Sequence, residues 1–243
     1  MVIIGCDVSL EHGGFCFLNE NGQVDYYKYF SNNKKDVEKN ASSVVFLGLK
    51  RELGEELERY NIRRACRYRE LFSDHIIEVV QRLCPFYVVF EGYAYGAITN
   101  SLCQIAELTG ALKTSIYRAG GIMRIHDPIS VKFFATGKGN ATKKEMVDQA
   151  LKEKFLGEEL VKQIPVKYVK RKRNKVMIDD CEGLLTDVVD AYFLARLLWT
   201  ELQLREGKIS LQDLSLHQIQ VFNRTTKMYP VNILARPFIQ QNN

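Results

Sequence analysis

Four acidic residues stand in this chain where folding alone would place apolar ones. Asp7 closes the apolar run Val2-Ile3-Ile4-Gly5-Cys6, and Glu91 closes Tyr87-Val88-Val89-Phe90. Asp187 and Asp190 lie three apart near the start of a helix-periodic stretch, Thr186 to Leu198. On such a helix they share a face with Ala191, Leu194 and Leu198, because positions i, i+3, i+4, i+7 and i+11 nearly superpose at 3.6 residues per turn. The carboxylates extend the apolar stripe instead of lying opposite it. A buried carboxylate is costly without a cation or a hydrogen-bonding partner. Four of them converging on one place would make a site for hard, oxygen-preferring divalent metals.

The arrangement of the remaining text decides whether they converge. Val2 to Val8, Gly13 to Leu18 and Gln23 to Phe30 read as strands, with the turn signal Asn21-Gly22 between the last two, so the chain opens as an antiparallel meander. Residues 31–62 are polar and mixed in charge and read as an insertion, with Leu47 to Tyr60 helical. Arg67 to Leu83 is helix-periodic. Tyr87 to Phe90 is continuously apolar, as a central strand covered on both faces would be. A helix from Ser101 to Ala119 stops at Gly120-Gly121; a short strand, Ile122 to Ile125, and helices from Pro128 to Phe134 and Thr142 to Phe155 follow. This order predicts an α/β protein with a mixed sheet, three antiparallel N-terminal strands followed by parallel ones, flanked by helices. Asp7 and Glu91 would then end neighbouring strands, where α/β sheets place their sites. Residues 1–200 are expected to form one domain with insertions near 31–62 and 163–180, and residues 201–243 a polar C-terminal extension.

Charge and cysteine usage narrow the class of function. The net charge of +5 is compatible with nucleic-acid binding without requiring it. Its distribution says more: Lys167 to Lys175 holds six basic residues in nine and no acid, the composition of a solvated loop or of a phosphate-contacting one. The six cysteines are scattered singly, without a metal-ligand pair, and read as reduced core residues of a cytoplasmic protein. His12, His75, His126 and His217 are isolated in sequence. No stretch approaches the ~20 apolar residues that span a bilayer, and the N-terminal run reads as a first strand and not a signal peptide.

Asp7 in Gly-Cys-Asp-Val-Ser-Leu, Glu91 in Val-Val-Phe-Glu-Gly-Tyr and Asp187-Val-Val-Asp190-Ala resemble the RuvC family of Holliday-junction resolvases, within the RNase H-like superfamily. The segment from Val131-Lys132 through Gly137-Lys138-Gly139 to Lys143-Lys144 is similar to the family's pattern, in which one lysine precedes a glycine turn and a second opens the next helix. The similarity covers roughly residues 1–30 and 67–200, in order. The wording Glu-Gly-Tyr-Ala-Tyr-Gly is closer to phage-type relatives. In bacterial members an aromatic residue three after the glutamate wedges into the junction; here Ala94 holds that position, between Tyr93 and Tyr95.

The resemblance implies a crossover junction endodeoxyribonuclease using two Mg²⁺ ions per site, with Mn²⁺ as a substitute. Asp7 is the implied bridging ligand, Glu91 and Asp190 are terminal ligands, Asp187 is a ligand or proton acceptor, and Lys143 joins the catalytic set. Lys132, Lys138, Lys143, Lys144, Tyr93, Tyr95, Lys170, Arg171, Lys172 and Arg173 are the candidate DNA contacts. The implied partners are branched DNA, four-way junctions above all, and a second copy of the chain; no membrane is involved. Three other readings compete: an RNase H-like nuclease acting on RNA–DNA hybrids or ribosomal RNA, an actin-like or sugar-kinase phosphotransferase, and a branched-DNA-binding protein without catalysis.

Overall fold

Residues of the first strand, β1 (Val2–Val8), divide alternately between two cores, as the two-residue period of a strand requires. Ile3 belongs to one apolar cluster, while Val2, Ile4 and Cys6 belong to the other. Our computed structural model describes residues 1–243 apart from 40–41, 84, 94–99, 157–163, 165, 174–175, 227–228 and 242–243. The meander is present: β1 pairs antiparallel with β2 (His12–Leu18), and β2 with β3 (Val24–Ser31). After helix α1 (Lys34–Lys39), the short strand β4 (Val44–Phe46) adds parallel to β3.

The insertion therefore contributes an edge strand to the sheet, built on its apolar run Val44-Val45-Phe46. The expected helix from Leu47 to Tyr60 is corrected. Leu47 and Leu49 are buried outside any helix, and α2 (Leu57–Phe72) begins only at Leu57. It continues through a π-helical segment, Ser73–Ile77, into α3 (Glu78–Gln81).

Strand β5 (Phe86–Glu91) lies parallel beside β1, and after α4 (Asn100–Arg118) β6 (Ile122–His126) lies parallel beside β5. The six-stranded order is β4-β3-β2-β1-β5-β6. Helices α5 (Pro128–Thr136) and α6 (Lys143–Lys152) follow. The basic stretch is then a two-stranded hairpin, β7 (Lys167–Arg173) and β8 (Val176–Glu182), where a loop was expected. Helix α7 (Leu184–Arg205) crosses the sheet, and α8 (Leu216–Asn223) packs against α5. The boundary expected at residue 200 falls inside α7. Residues beyond α8 return to the sheet, with Ile239 bridging to Met123.

Two glycines let α7 lie directly on the strands. A Cβ on Gly5 would stand 1.8 Å from the Ala191 carbonyl oxygen, and one on Gly14 would stand 2.4 Å from that of Asp187. Both conflicts are with backbone, so no side-chain adjustment relieves them. Of the described cysteines, Cys6, Cys16 and Cys181 are buried, whereas Cys66 and Cys103 are exposed, which corrects the expectation of core cysteines for those two. Among the described residues no helix is long and apolar enough to cross a membrane.

Candidate active site

Parallel pairing of β1 with β5 runs through Cys6 and Phe90, so the next residues in each strand, Asp7 and Glu91, emerge side by side at their carboxyl ends. The contact at Gly14 brings the first turns of α7 over the same place. Ligand oxygens of Asp7, Asp187 and Asp190 lie within 4.8 Å of one another. A capping box between Thr142 and Glu145 starts α6 with Lys143 as its first residue. The Lys143 Nζ reaches 2.8 Å from Asp187 Oδ1 and 3.5 Å from Asp190 Oδ2.

Burial and mutual repulsion separate the four acids into two kinds. Asp7 is pushed well above the carboxylate range by burial first, then by Asp190, Asp187 and Glu91. Glu91 rises to about 7 through burial and the Asp190 charge. Burial also raises Asp190, against the pull of Lys143. Asp187 is the exception. Burial opposes its charge, yet its surroundings hold it down at about 2. His12 Nδ1 lies 2.8 Å from its Oδ2, and Tyr29 donates to the same oxygen at 3.1 Å. Lys143 and Thr186 donate to Oδ1. Lys143 is itself held above the ordinary lysine range, since Asp190, Asp187 and Asp7 outweigh its burial. Asp187 thus shares the cluster with Asp7 and Asp190 but differs from them in having Tyr29, Lys143 and Thr186 as hydrogen-bond donors, with His12 beside it.

This frame and site were set against known proteins. No family model matches the chain, and no curated protein matches it in sequence. Among solved structures, the RuvC of Thermus thermophilus aligns over 85% of this chain and 97% of its own, at 17% identity and a TM-score of 0.50. Thermus thermophilus RuvC in complex with a Holliday junction substrate aligns over 81% and 91%, at 17% identity and a TM-score of 0.48. The yeast mitochondrial Holliday junction resolvase Ydc2 aligns over 80% and 75%, at 15% identity and 0.45. The chain has the RuvC form of the RNase H-like fold.

The other candidate residues are distributed around this RuvC-type frame. Lys132, on α5, acts electrostatically on both Glu91 and Asp190. Lys138 pairs with Glu145 at 2.7 Å, and Lys144 with Asp148 at 2.6 Å. Tyr93 is half-buried against α4, its hydroxyl 2.6 Å from Thr109 Oγ1 and its ring beneath Lys113. Tyr95 and Ala94 lie outside the described residues. Arg171 pairs with Glu182 and Asp180; Lys170 and Lys172 lie exposed on the hairpin, and Arg173 ends β7. His12 and Tyr29 are the members the sequence reading missed. The lone histidines were read as isolated, but His12 joins the site across the sheet, and no periodicity signals a contact with a residue so distant in the chain.

Proposed function

We propose that the protein is a metal-dependent, structure-specific endonuclease that resolves four-way or otherwise branched DNA by paired nicks. One observation carries the reading: Asp7, Asp187 and Asp190 cluster with Lys143 where the first turns of α7 meet the carboxyl end of β1, and Glu91, at the end of the neighbouring β5, acts electrostatically on Asp7, in a RuvC-type fold. The donor chemistry fits hard divalent cations. All four side chains offer oxygen, and Lys143 and Lys132 offset only part of their negative charge. Asp7, which feels all three other acids, would hold Mg²⁺ together with Glu91 and Asp190. Bound there, such ions supply an activated water and a stabilised leaving alkoxide.

The chain's own groups complete the site. Lys143 and Lys132 place fixed positive charge where a phosphodiester gains negative charge during hydrolysis. Asp187, kept ionised and held by Tyr29 and His12, orients a ligand or accepts a proton. A junction has two symmetry-related strands to cut, so the working form is a homodimer that uses one surface twice. A labelled four-way junction, a linear duplex and an RNA–DNA hybrid, each incubated with Mg²⁺, Mn²⁺, Ca²⁺ or EDTA, test the reading. Paired nicks in the junction are expected with Mg²⁺ or Mn²⁺. Ca²⁺, with its longer bonds and looser geometry, should permit binding with little turnover. Undiminished cleavage in EDTA overturns the mechanism, preference for the hybrid moves the protein to another nuclease class, and a single protomer per junction removes the dimer.

His12 supplies a second check. Groups that orient a metal ligand typically change metal affinity 10–100-fold when removed. His12→Ala should therefore raise the Mg²⁺ concentration for half-maximal cleavage by about that factor, about 10–100-fold. His12→Asn, whose amide nitrogen can stand near the Nδ1 position, should recover much of the loss. An unchanged Mg²⁺ dependence in His12→Ala would return His12 to a bystander.

A further inference from the structure

The β7–β8 hairpin has two chemically different faces, and the register assigns every side chain to one of them. Lys167, Val169 and Arg171 share a face with Ile178, Asp180 and Glu182; Tyr168, Lys170 and Lys172 share the other with Met177, Asp179 and Cys181. Every hairpin ion pair lies on the first face: Lys167–Glu182 at 3.3 Å, Arg171–Glu182 at 3.0 Å and Arg171–Asp180 at 3.4 Å. That face is also where Val169 and Ile178 are partly covered. On the second face Lys170 and Lys172 have no ion-pair partner among the described residues, and Tyr168 and Met177 are 58% and 59% exposed. Sequence alone treats Lys170 to Arg173 as one basic run. Folding pairs Arg171 with Glu182 and Asp180 and leaves Lys170 and Lys172 without an ion pair among the described residues.

The hairpin is anchored at the acidic site. Asp180 Oδ1 accepts from the Lys144 backbone N–H at 3.3 Å, one residue from Lys143. Tyr168 and Asp179 both act electrostatically on Lys144, so the open face begins beside the start of α6. An exposed tyrosine interleaved with unpaired lysines matches the chemistry of a nucleic-acid strand, with phosphates for the ammonium groups and a base face for the ring. Such a face suits DNA whose bases are unstacked more than a closed duplex, whose bases are covered by their neighbours.

We infer that the exposed part of this second face, away from the buried Cys181 at its base, is the surface that grips the DNA next to the cut, Lys170 and Lys172 on phosphates and Tyr168 against a base exposed at the branch point. The inference rests on the proposed function and names the part of the chain that recognises the branched substrate. Asp179, the one acid among the described residues of that face, opposes Lys170 in register without an ion pair and weakens the grip.

The test is binding of the full chain in Ca²⁺ to a synthetic four-way junction carrying 2-aminopurine at the branch, and to a linear duplex, across a salt series. Lys170→Ala with Lys172→Ala should lower the salt slope by up to about 1.8, at ~0.9 per phosphate contact. Tyr168→Ala should weaken junction binding roughly 5- to 150-fold, the range of one lost base stack, and remove the 2-aminopurine response, with Tyr168→Phe restoring both. Asp179→Asn should tighten binding, a gain that a merely structural role does not predict. Circular dichroism melts establish that the variants are folded. An unchanged slope in the lysine variant, a slope change in Arg171→Ala as large as theirs, or an equal Tyr168→Ala loss on linear duplex would overturn the inference alone. A wild-type chain that does not bind the junction would overturn it together with the proposed function.

Discussion

Replacing Asp7 with asparagine is expected to lower cleavage by on the order of 10³-fold or more, about 4 kcal/mol of transition-state stabilisation at 1.36 kcal/mol per tenfold. In EDTA the same change should make the protein more stable. Both effects have one cause. Asp7 is buried against Asp190, Asp187 and Glu91, so in the metal-free protein burial and three acids oppose its charge, and they outweigh the pull of Lys143. Asparagine keeps the shape and removes the repulsion, along with the anionic ligand. Junction binding should remain measurable, because it depends on cationic contacts to phosphates. Glu91→Gln and Asp190→Asn should behave alike. Asp187→Asn should not: its carboxylate is held ionised by its donors, so its loss destabilises.

The same asymmetry fixes the pH dependence without metal. Glu91 stands at about 7 against an ordinary 4.5. Its stabilising neutral form is complete below 4.5 and is lost as pH rises through 7. This contribution is on the order of 3 kcal/mol, at ~1.4 kcal/mol per pH unit. Asp187 runs the other way, near 2 against 3.8, so its contribution is complete above 3.8 and is lost as pH falls through 2. The wild type in EDTA should therefore lose the Glu91 contribution to melting between about pH 4.5 and 7, a fall that Glu91→Gln should lack. Excess Mg²⁺ should flatten that decline by binding the folded state. Thermal melts across pH measure it; an Asp7→Asn protein that melts lower than its parent in EDTA at pH 8 would sink the account of the acidic cluster.

The acids were legible because each violates a local rule. Asp7 and Glu91 end apolar runs, and Asp187 and Asp190 break an apolar helix face; the two strands and the helix expected to carry them are present. What was not legible depends on distant partners. β4 is only three residues, the apolar run Val44-Val45-Phe46 inside an otherwise polar segment, and its place in the sheet is set by pairing with the edge of β3. β7 is rich in residues with little β preference, and acids across the ladder hold part of it in place. His12 and Tyr29 meet Asp187 because Gly5 and Gly14 let α7 settle onto the sheet, a contact written in two glycines far from the helix. The return of the C-terminal residues to β6 left no local signal, since it combines backbone pairing of Ile239 with Met123, packing of Ile233 and Phe238, and charged side chains inside the protein.

That return supplies the largest expected stability effect. Glu201, fully buried on α7, pairs with Arg124 of β6 and with Arg205 at 2.9 Å. Arg124 also donates to the carbonyls of Pro237 and Arg236, and Arg205 to those of Ile233 and Arg236. Burial works against both charges, upward at Glu201 and downward at Arg124, and each is countered by the charge of the other. The pair is thus expensive to bury and more expensive to break. Glu201→Gln should leave the buried Arg124 charge unmatched and cost about 3–5 kcal/mol, lowering Tm by roughly 6–20 °C at about 2–4 °C per kcal/mol for a chain of this size. Glu201→Leu combined with Arg124→Met should cost less than either single change, because it removes both charges together. The residues around 233–239 should exchange amide hydrogens faster in Glu201→Gln, since the arginine that holds their carbonyls loses its counter-charge. A Glu201→Gln protein within about 1 kcal/mol of its parent, well below the usual cost of breaking a buried pair, would mean that the ion pair does not hold the C-terminal segment against β6.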